Sequence, residues 1–263
     1  MKEIIEDVKL KLNIKIENIT SFNDGTTNSL VFSINNKYLI KMMSKEELLN
    51  QKIFFDLYYD NKYFQKVIYY NEELNYICFN FIEGVKFKNN YDSNLALNEI
   101  YNITSSYKKY KSDYYGYFDY PCKTAYDFLL SEVEYAKEKI EFIDNSKVYS
   151  SLNYFKNIKV SKYLLHGDFG VHNFIVSNNS IKVIDPMPLV FDPLYDFYFA
   201  SLSSTFSFKN IKMILDYYDR DIDYKKNLFI IVFYIRMSRA FVYDKEHFND
   251  YLELYRECED LWK

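Results

Sequence analysis

The hydrophobic period of this chain changes near residue 84 and changes back briefly between residues 163 and 185. Before residue 84, apolar and aromatic residues come in short pieces: Ile16–Phe22, Leu30–Ile34, Tyr38–Met43, Lys66–Tyr70 and Tyr76–Ile82. Such lengths suit strands. Asn23-Asp24-Gly25 and Asn35-Asn36 stand at two of the joints, and those residue types accept the positive φ that hairpin turns need. Ser44, then Lys45-Glu46-Glu47, then Leu48, Leu49, Ile53, Phe54 and Leu57 reads as an N-cap, an acidic first turn and an apolar stripe. Residues 1–83 are therefore expected to form a small β-rich lobe, a five-stranded antiparallel sheet plus a helix.

After residue 84 the spacing is helical over about 94–109, 125–142, 147–157, 208–218, 224–242 and 248–261. Residues 84–263 are expected to form a larger, mainly helical lobe. Within it, Phe174–Val176 and Ile181–Ile184 flank Ser177-Asn178-Asn179-Ser180, a hairpin signal. The fold class expected is α+β in two lobes, with a cleft between them where small-molecule sites commonly lie.

Composition narrows the partners. A formal net charge of −4 and no cluster of five or more Lys/Arg argue against nucleic acid, which needs a concentrated positive face. A cationic or uncharged partner is easier to accommodate. Cys78, Cys122 and Cys258 are odd in number and match neither a C-x-x-C pair nor a zinc spacing, so reduced thiols in a cytoplasmic protein are expected. Met1–Leu10 alternates charge with apolar residues at helical spacing, unlike a signal peptide. The longest apolar run, Leu228–Ile235, is too short to span a bilayer and reads as a buried helix. No membrane partner is expected, and the chain is read as a monomer or weak dimer.

The chemistry concentrates in Leu164-Leu165-His166-Gly167-Asp168-Phe169-Gly170-Val171-His172-Asn173, followed by Ile181-Lys182-Val183-Ile184-Asp185-Pro186. A hairpin folds its two ends together, so Asn173 and Asp185 would offer an amide oxygen and a carboxylate at one edge. Mg2+ prefers such ligands and keeps positions open for nucleotide phosphates. Asp168, nearby, is a carboxylate able to orient a hydroxyl and take its proton, which phosphoryl transfer requires.

These residues carry a resemblance. His166-Gly167-Asp168 with Asn173, Ile184-Asp185, and the later Asp192-Pro193-Leu194-Tyr195-Asp196-Phe197 resemble the signature of the aminoglycoside phosphotransferase and choline kinase superfamily, relatives of the protein kinases. Gly25-Thr26-Thr27-Asn28 resembles that superfamily's G-x-[ST]-N phosphate loop. Lys41 lies where its ATP-phosphate lysine lies, Glu47 fits the glutamate that pairs with it, and Phe81-Ile82-Glu83-Gly84 resembles the hinge whose backbone meets the purine. The matches span about residues 20–200.

The resemblance implies a two-lobed protein-kinase-like fold and a kinase using ATP or GTP with Mg2+. Its acceptor would be a hydroxyl of an aminoglycoside-like small molecule, with choline, ethanolamine or an amino sugar as the alternative. A catalytically silent nucleotide-binding module is a third reading, against which stand the intact Lys41, Asp168, Asn173 and Asp185. On the resemblance, Asp168 is the catalytic base and Asn173 with Asp185 holds the metal. Lys41 and Glu47 serve the phosphates, Gly25, Thr26, Thr27 and Asn28 cap them, and Ile82 and Glu83 meet the base. Asp196 supports the catalytic loop.

Simpler roles stand beside these. Lys41 alone would be a snorkelling edge lysine, Glu46 competes with Glu47 as its partner, and Asp192 and Asp196 are plausible helix caps. His166 is read as a loop histidine, and His172 and His247 as solvated or locally hydrogen-bonded. Most of the Tyr and Phe are expected in the core, with the run Tyr107, Tyr110, Tyr114, Tyr115, Tyr117 and Tyr120 able to offer stacking faces to a sugar or cation. Asp113, Asp119, Glu132, Glu134, Glu253, Glu257, Glu259 and Asp260 are carboxylates a cationic acceptor could meet.

Overall fold

The structure, a computed structural model, describes residues 1–22, 30–87, 93–178, 180–203 and 211–260. Strands β1 (Ile19–Phe22), β2 (Val31–Ile34), β3 (Tyr38–Met42), β4 (Val67–Asn71) and β5 (Tyr76–Asn80) form one sheet in the order β1-β2-β3-β5-β4. All its pairings are antiparallel, as expected. Asn35 and Asn36 have φ of 54° and 49° and make the β2–β3 turn; Asn23-Asp24-Gly25 lies outside the described residues.

Two helices join this sheet, one more than the expected helix. Helix α1 (Lys2–Leu12) is the alternating N-terminal stretch, and α2 (Lys45–Leu57) begins at its Ser44 cap. Ile4 and Val8 of α1 are buried with Phe32, Ile34, Ile40, Tyr76 and Cys78, and each contributes about 1.5–3 kcal/mol by leaving water. Asp7 Oδ2 accepts hydrogen bonds from the Tyr76 hydroxyl and, at 2.8 Å, from Asn71 Nδ2. Phe79, pointing the other way along β5, meets Phe55 of α2 at 5.2 Å. A strand covered on both faces has no polar side, so Tyr76-Ile77-Cys78-Phe79 reads as a continuous apolar run.

The chain divides into two units, Met1–Val85 with Ile175–Ile184, and Lys86–Phe174 with Asp185–Lys263. The expected hairpin is present as β9 (Phe174–Ser177) and β10 (Ser180–Val183), in a small sheet of order β10-β9-β6 with β6 at Val85–Lys86.

The second unit contains helices α3 (Ser93–Ser105), α4 (Ala125–Lys139), α5 (Ser146–Tyr154), α6 (Leu194–Ser201), α7 (Ile211–Asp216), α8 (Ile222–Tyr243) and α9 (Phe248–Asp260). Helix α8 is central and packs on α4, α5, α6 and α9. It carries the apolar run, with Leu228, Phe229 and Ile231 through Ile235 buried. A second small sheet, β7 (Gly116–Tyr117), β8 (Tyr163–Leu165) and β11 (Leu189–Phe191), has the order β7-β11-β8. Strands β7 and β11 have two and three residues, too few for alternation to show in sequence. Among the described residues, no helix is long and apolar enough to cross a membrane.

Candidate active site

In the first unit, Lys41 lies on β3 opposite Val31 of β2 and Ile77 of β5, and it is 7% exposed. Ser44 Oγ accepts the Glu47 backbone N–H at 3.1 Å and so sets the first turn of α2. That turn brings Glu47 Oε1 to 3.3 Å from Lys41 Nζ. Gln51, one helical turn further on, donates Nε2 to the same oxygen at 3.4 Å. The ammonium thus meets Glu47, the residue the resemblance indicated. Ile82 is half-buried and Glu83 exposed in the irregular chain after β5. Gly25, Thr26, Thr27 and Asn28 lie outside the described residues.

In the second unit, the loop after β8 carries Asp168. Gly167 has φ +81°, and a Cβ there would collide with the Met187 carbonyl oxygen, so both conformation and space require glycine. Its backbone neighbours are held by Asp196 on α6. Oδ2 of Asp196 accepts the N–H groups of His166 at 3.0 Å and Gly167 at 3.2 Å, and the Tyr107 hydroxyl at 2.7 Å. Tyr117 donates its hydroxyl to the Gly167 carbonyl at 3.3 Å, and the Met187 N–H reaches the His166 carbonyl at 2.8 Å. Burial pushes the Asp196 carboxyl up to about 7, against these three hydrogen bonds and with the charge of Asp168 adding to the rise. Asp192 stands one residue before Pro193, the N-cap of α6; its Oδ1 accepts the Leu194 N–H at 3.0 Å, and Oδ2 meets Arg220 Nη2 at 3.3 Å, whereas Asp196, the other residue read as a cap, lies inside the first turn.

Asp168 is half-buried, its side chain 43% exposed. A turn over Val171–Asn173 brings Asn173 back beneath it, with Nδ2 donating to the Asp168 carbonyl at 2.8 Å and to Oδ2 at 2.9 Å. His172 Nε2 is 3.2 Å from the same Oδ2. Burial acts upward on this carboxyl, but the His172 hydrogen bond, the charges of His172 and His166 and the Asn173 amide hold it down at about 2. Asp168 and Asp196 are therefore pushed apart by their surroundings.

Asn173 immediately precedes β9 and Asp185 follows β10 by two residues. Asp185 has φ +61° and is half-buried, a conformation Asp tolerates better than most residues. With Asn173 Nδ2 committed to Asp168, the amide oxygen is its remaining polar atom. The donor set is oxygen only, one amide and one carboxylate, and among the described residues no cluster of three His, Cys, Asp or Glu offers a metal cage. These residues fit a hard cation that keeps water and phosphate ligands.

No family model and no curated protein matches the sequence. Solved structures do. Choline kinase LicA from Streptococcus pneumoniae aligns over 99% of this chain and 98% of its own, with TM-score 0.63 and 20% identity. The ADP-bound aminoglycoside phosphotransferase APH(2'')-Ib aligns over 96% of each chain, with TM-score 0.60 and 17% identity. The GDP and kanamycin complex of APH(2")-IIia aligns over 99% of each chain, with TM-score 0.61 and 13% identity. This chain has the fold of choline kinase and the aminoglycoside phosphotransferases.

Within that kinase fold the structure assigns several residues to support. Tyr107 and Tyr117 are buried under the Asp168 loop, so they offer no stacking face, whereas Tyr114 and Tyr120 are exposed. Nothing in the sequence marks Tyr107 or Tyr117 as loop supports, because their partners lie 89 and 50 residues away. Glu132 is half-buried, receives the Tyr195 hydroxyl at 3.5 Å and lies 3.6 Å from Arg239 Nη2. Glu134 takes the Tyr149 hydroxyl at 2.5 Å. Asp113, Asp119, Glu253 and Glu257 are exposed, and the side chains of Glu259 and Asp260 lie outside the description.

Proposed function

We propose that this protein is a small-molecule kinase that transfers the γ-phosphoryl group of ATP or GTP to a hydroxyl of a cationic, aminoglycoside-like acceptor. The observation that carries the reading is Asp168, a partly exposed carboxylate held by Asn173 on a loop supported by Asp196, Tyr117, Met187 and, through Asp196, Tyr107. Lys41 places a positive charge on the nucleotide phosphates and Glu47 keeps it in register. The backbone at Ile82 and Glu83 meets the purine edge, and Gly25, Thr26, Thr27 and Asn28 cap the phosphates. Asn173 Oδ1 and Asp185 are the residues that would hold Mg2+, which when bound neutralises charge on the transferred group.

In the reaction, the acceptor oxygen forms a bond to the γ-phosphorus as the bond to the β–γ bridging oxygen breaks. The hydroxyl proton passes to Asp168. A carboxylate held near 2 is too weak a base to ionise a free hydroxyl, so it orients the hydroxyl and takes the proton as the new P–O bond forms. That order suits the loose transition state of phosphoryl transfer.

The likeness to choline kinase LicA favours a second acceptor reading: choline, ethanolamine or an amino sugar. The test is nucleotide consumption with Mg2+ across aminoglycosides, choline, ethanolamine and amino sugars, with Asp168→Ala in parallel. Turnover stimulated by one acceptor and lost in the variant is expected. The absence of stimulation by every acceptor would leave the silent nucleotide-binding module.

A further inference from the structure

Gly170 has φ −92° and ψ 155°, extended backbone that any residue adopts. Its lack of a side chain therefore has no conformational cause. It does have a spatial one: a Cβ at this position would lie 2.5 Å from Cε1 and 2.6 Å from Nδ1 of His172. The imidazole sits where the side chain of residue 170 would be. So seated, it directs Nε2 at Asp168 Oδ2, 3.2 Å away. A carboxylate only accepts, so Nε2 carries the hydrogen.

Asn173 Nδ2 donates to the same oxygen at 2.9 Å. Among the described residues both donors converge on Oδ2, and no hydrogen bond is made by Oδ1. The χ2 torsion of Asp is broad and soft, so one donor would act as a pivot. Two donors, one from each neighbouring residue of the turn, stop the rotation. The His172 side chain is 57% exposed and buries little surface, so packing alone gives it no reason to lie here.

We infer that His172, seated on Gly170, is a positioning residue that clamps Oδ2 of Asp168 together with Asn173 and so presents Oδ1 to the acceptor hydroxyl. This rests on the reading of Asp168 as the base. The residue pair Gly170 and His172 then acts as one device, because a side chain at residue 170 removes the imidazole without altering it.

The experiment compares His172→Ala, His172→Gln, Gly170→Ala and the Gly170→Ala/His172→Ala double variant with Asp168→Ala, measuring kcat, KM for nucleotide and acceptor, and the thermal unfolding midpoint. Misplacement of the carboxylate is expected to lower kcat by ten- to a hundredfold in order of magnitude, with nucleotide KM and unfolding midpoint unchanged. Gly170→Ala is expected to match His172→Ala, and the double variant to lose no more than either alone. His172→Gln, whose amide N–H can replace Nε2–H, is expected to recover much of the rate. Wild-type kcat in His172→Ala beside an inactive Asp168→Ala overturns the positioning role and leaves the base standing. Additive losses in the double variant overturn the seat on Gly170. An active Asp168→Ala overturns the base itself. Should Gly170→Ala fail to fold, the contrast between His172→Ala and His172→Gln decides alone.

Discussion

Lys41 and Glu47 sit on a strand and the first turn of a helix, whereas Asp168 sits on a loop with no regular structure between Leu165 and Val171. A strand and a helix satisfy their own backbone groups, so the first arrangement needs only side-chain partners, among them the Lys41–Glu47 ion pair and the Gln51 amide on Glu47. The loop has backbone donors and acceptors that no ladder uses, and buried groups of that kind must find partners elsewhere. Here Asp196, Tyr117 and Met187 provide them, with Tyr107 bracing Asp196. A side chain on regular structure has its backbone placed by the ladder or helix itself; one on a loop needs a supporting set drawn from distant parts of the chain.

The largest effect is expected at the loop. Asp168→Ala should lower kcat on the order of 10³-fold, the range for loss of a proton acceptor, while nucleotide affinity measured by equilibrium titration holds. Lys41→Met should lower kcat/KM on the order of 10²-fold, and its KM for nucleotide should rise. Equal patterns in the two variants would give both residues one task and erase the difference between strand and loop.

A smaller effect separates the loop support from the chemistry. The Asp196 carboxyl ordinarily titrates at 3.8 and in the folded protein is pushed up to about 7. Between those values the folded state binds more protons than the unfolded one, so stability falls as pH rises. The contribution is fully present below about 3.8 and lost as pH passes about 7. The thermal midpoint should drop by a few degrees between about pH 5 and 8, and Asp196→Asn should flatten that slope. Burial shifts Glu132 and Asp192 upward too, so some slope remains in the variant; an undiminished slope would remove Asp196 from the account. Tyr107→Phe is the mildest change. It deletes the 2.7 Å hydrogen bond to Asp196 and the 3.3 Å one accepted from the His166 N–H and should cost about 1–2 kcal/mol in denaturant unfolding, with kcat lowered less than in Asp168→Ala.

Local order explains which parts of the protein could be read in advance. The five strands of the first sheet, the Ser44 cap and the Asn35-Asn36 turn each depend on residues within a few positions of one another, and so does the pairing of hairpin ends that flank Asn173 and Asp185. Strands β7 and β11 escaped because two or three residues carry no period. Tyr107 and Tyr117 looked like core aromatics, since a hydroxyl's partner leaves no trace in the residues beside it.

The hydrophobic periods, the turn residues and the groups we propose for the chemistry, Lys41, Glu47, Asp168, Asn173 and Asp185, are all written in the sequence. Their states were set by folding. It chose Glu47 as the residue paired with Lys41. It buried Asp196 under the loop and drove its carboxyl up while Asp168, held by two donors on one oxygen, was driven down. It also set the His172 imidazole in the space left by Gly170. The physical reason is that period and turn preference are properties of neighbouring residues, whereas burial and hydrogen-bond partnership belong to groups that meet only after the chain has folded.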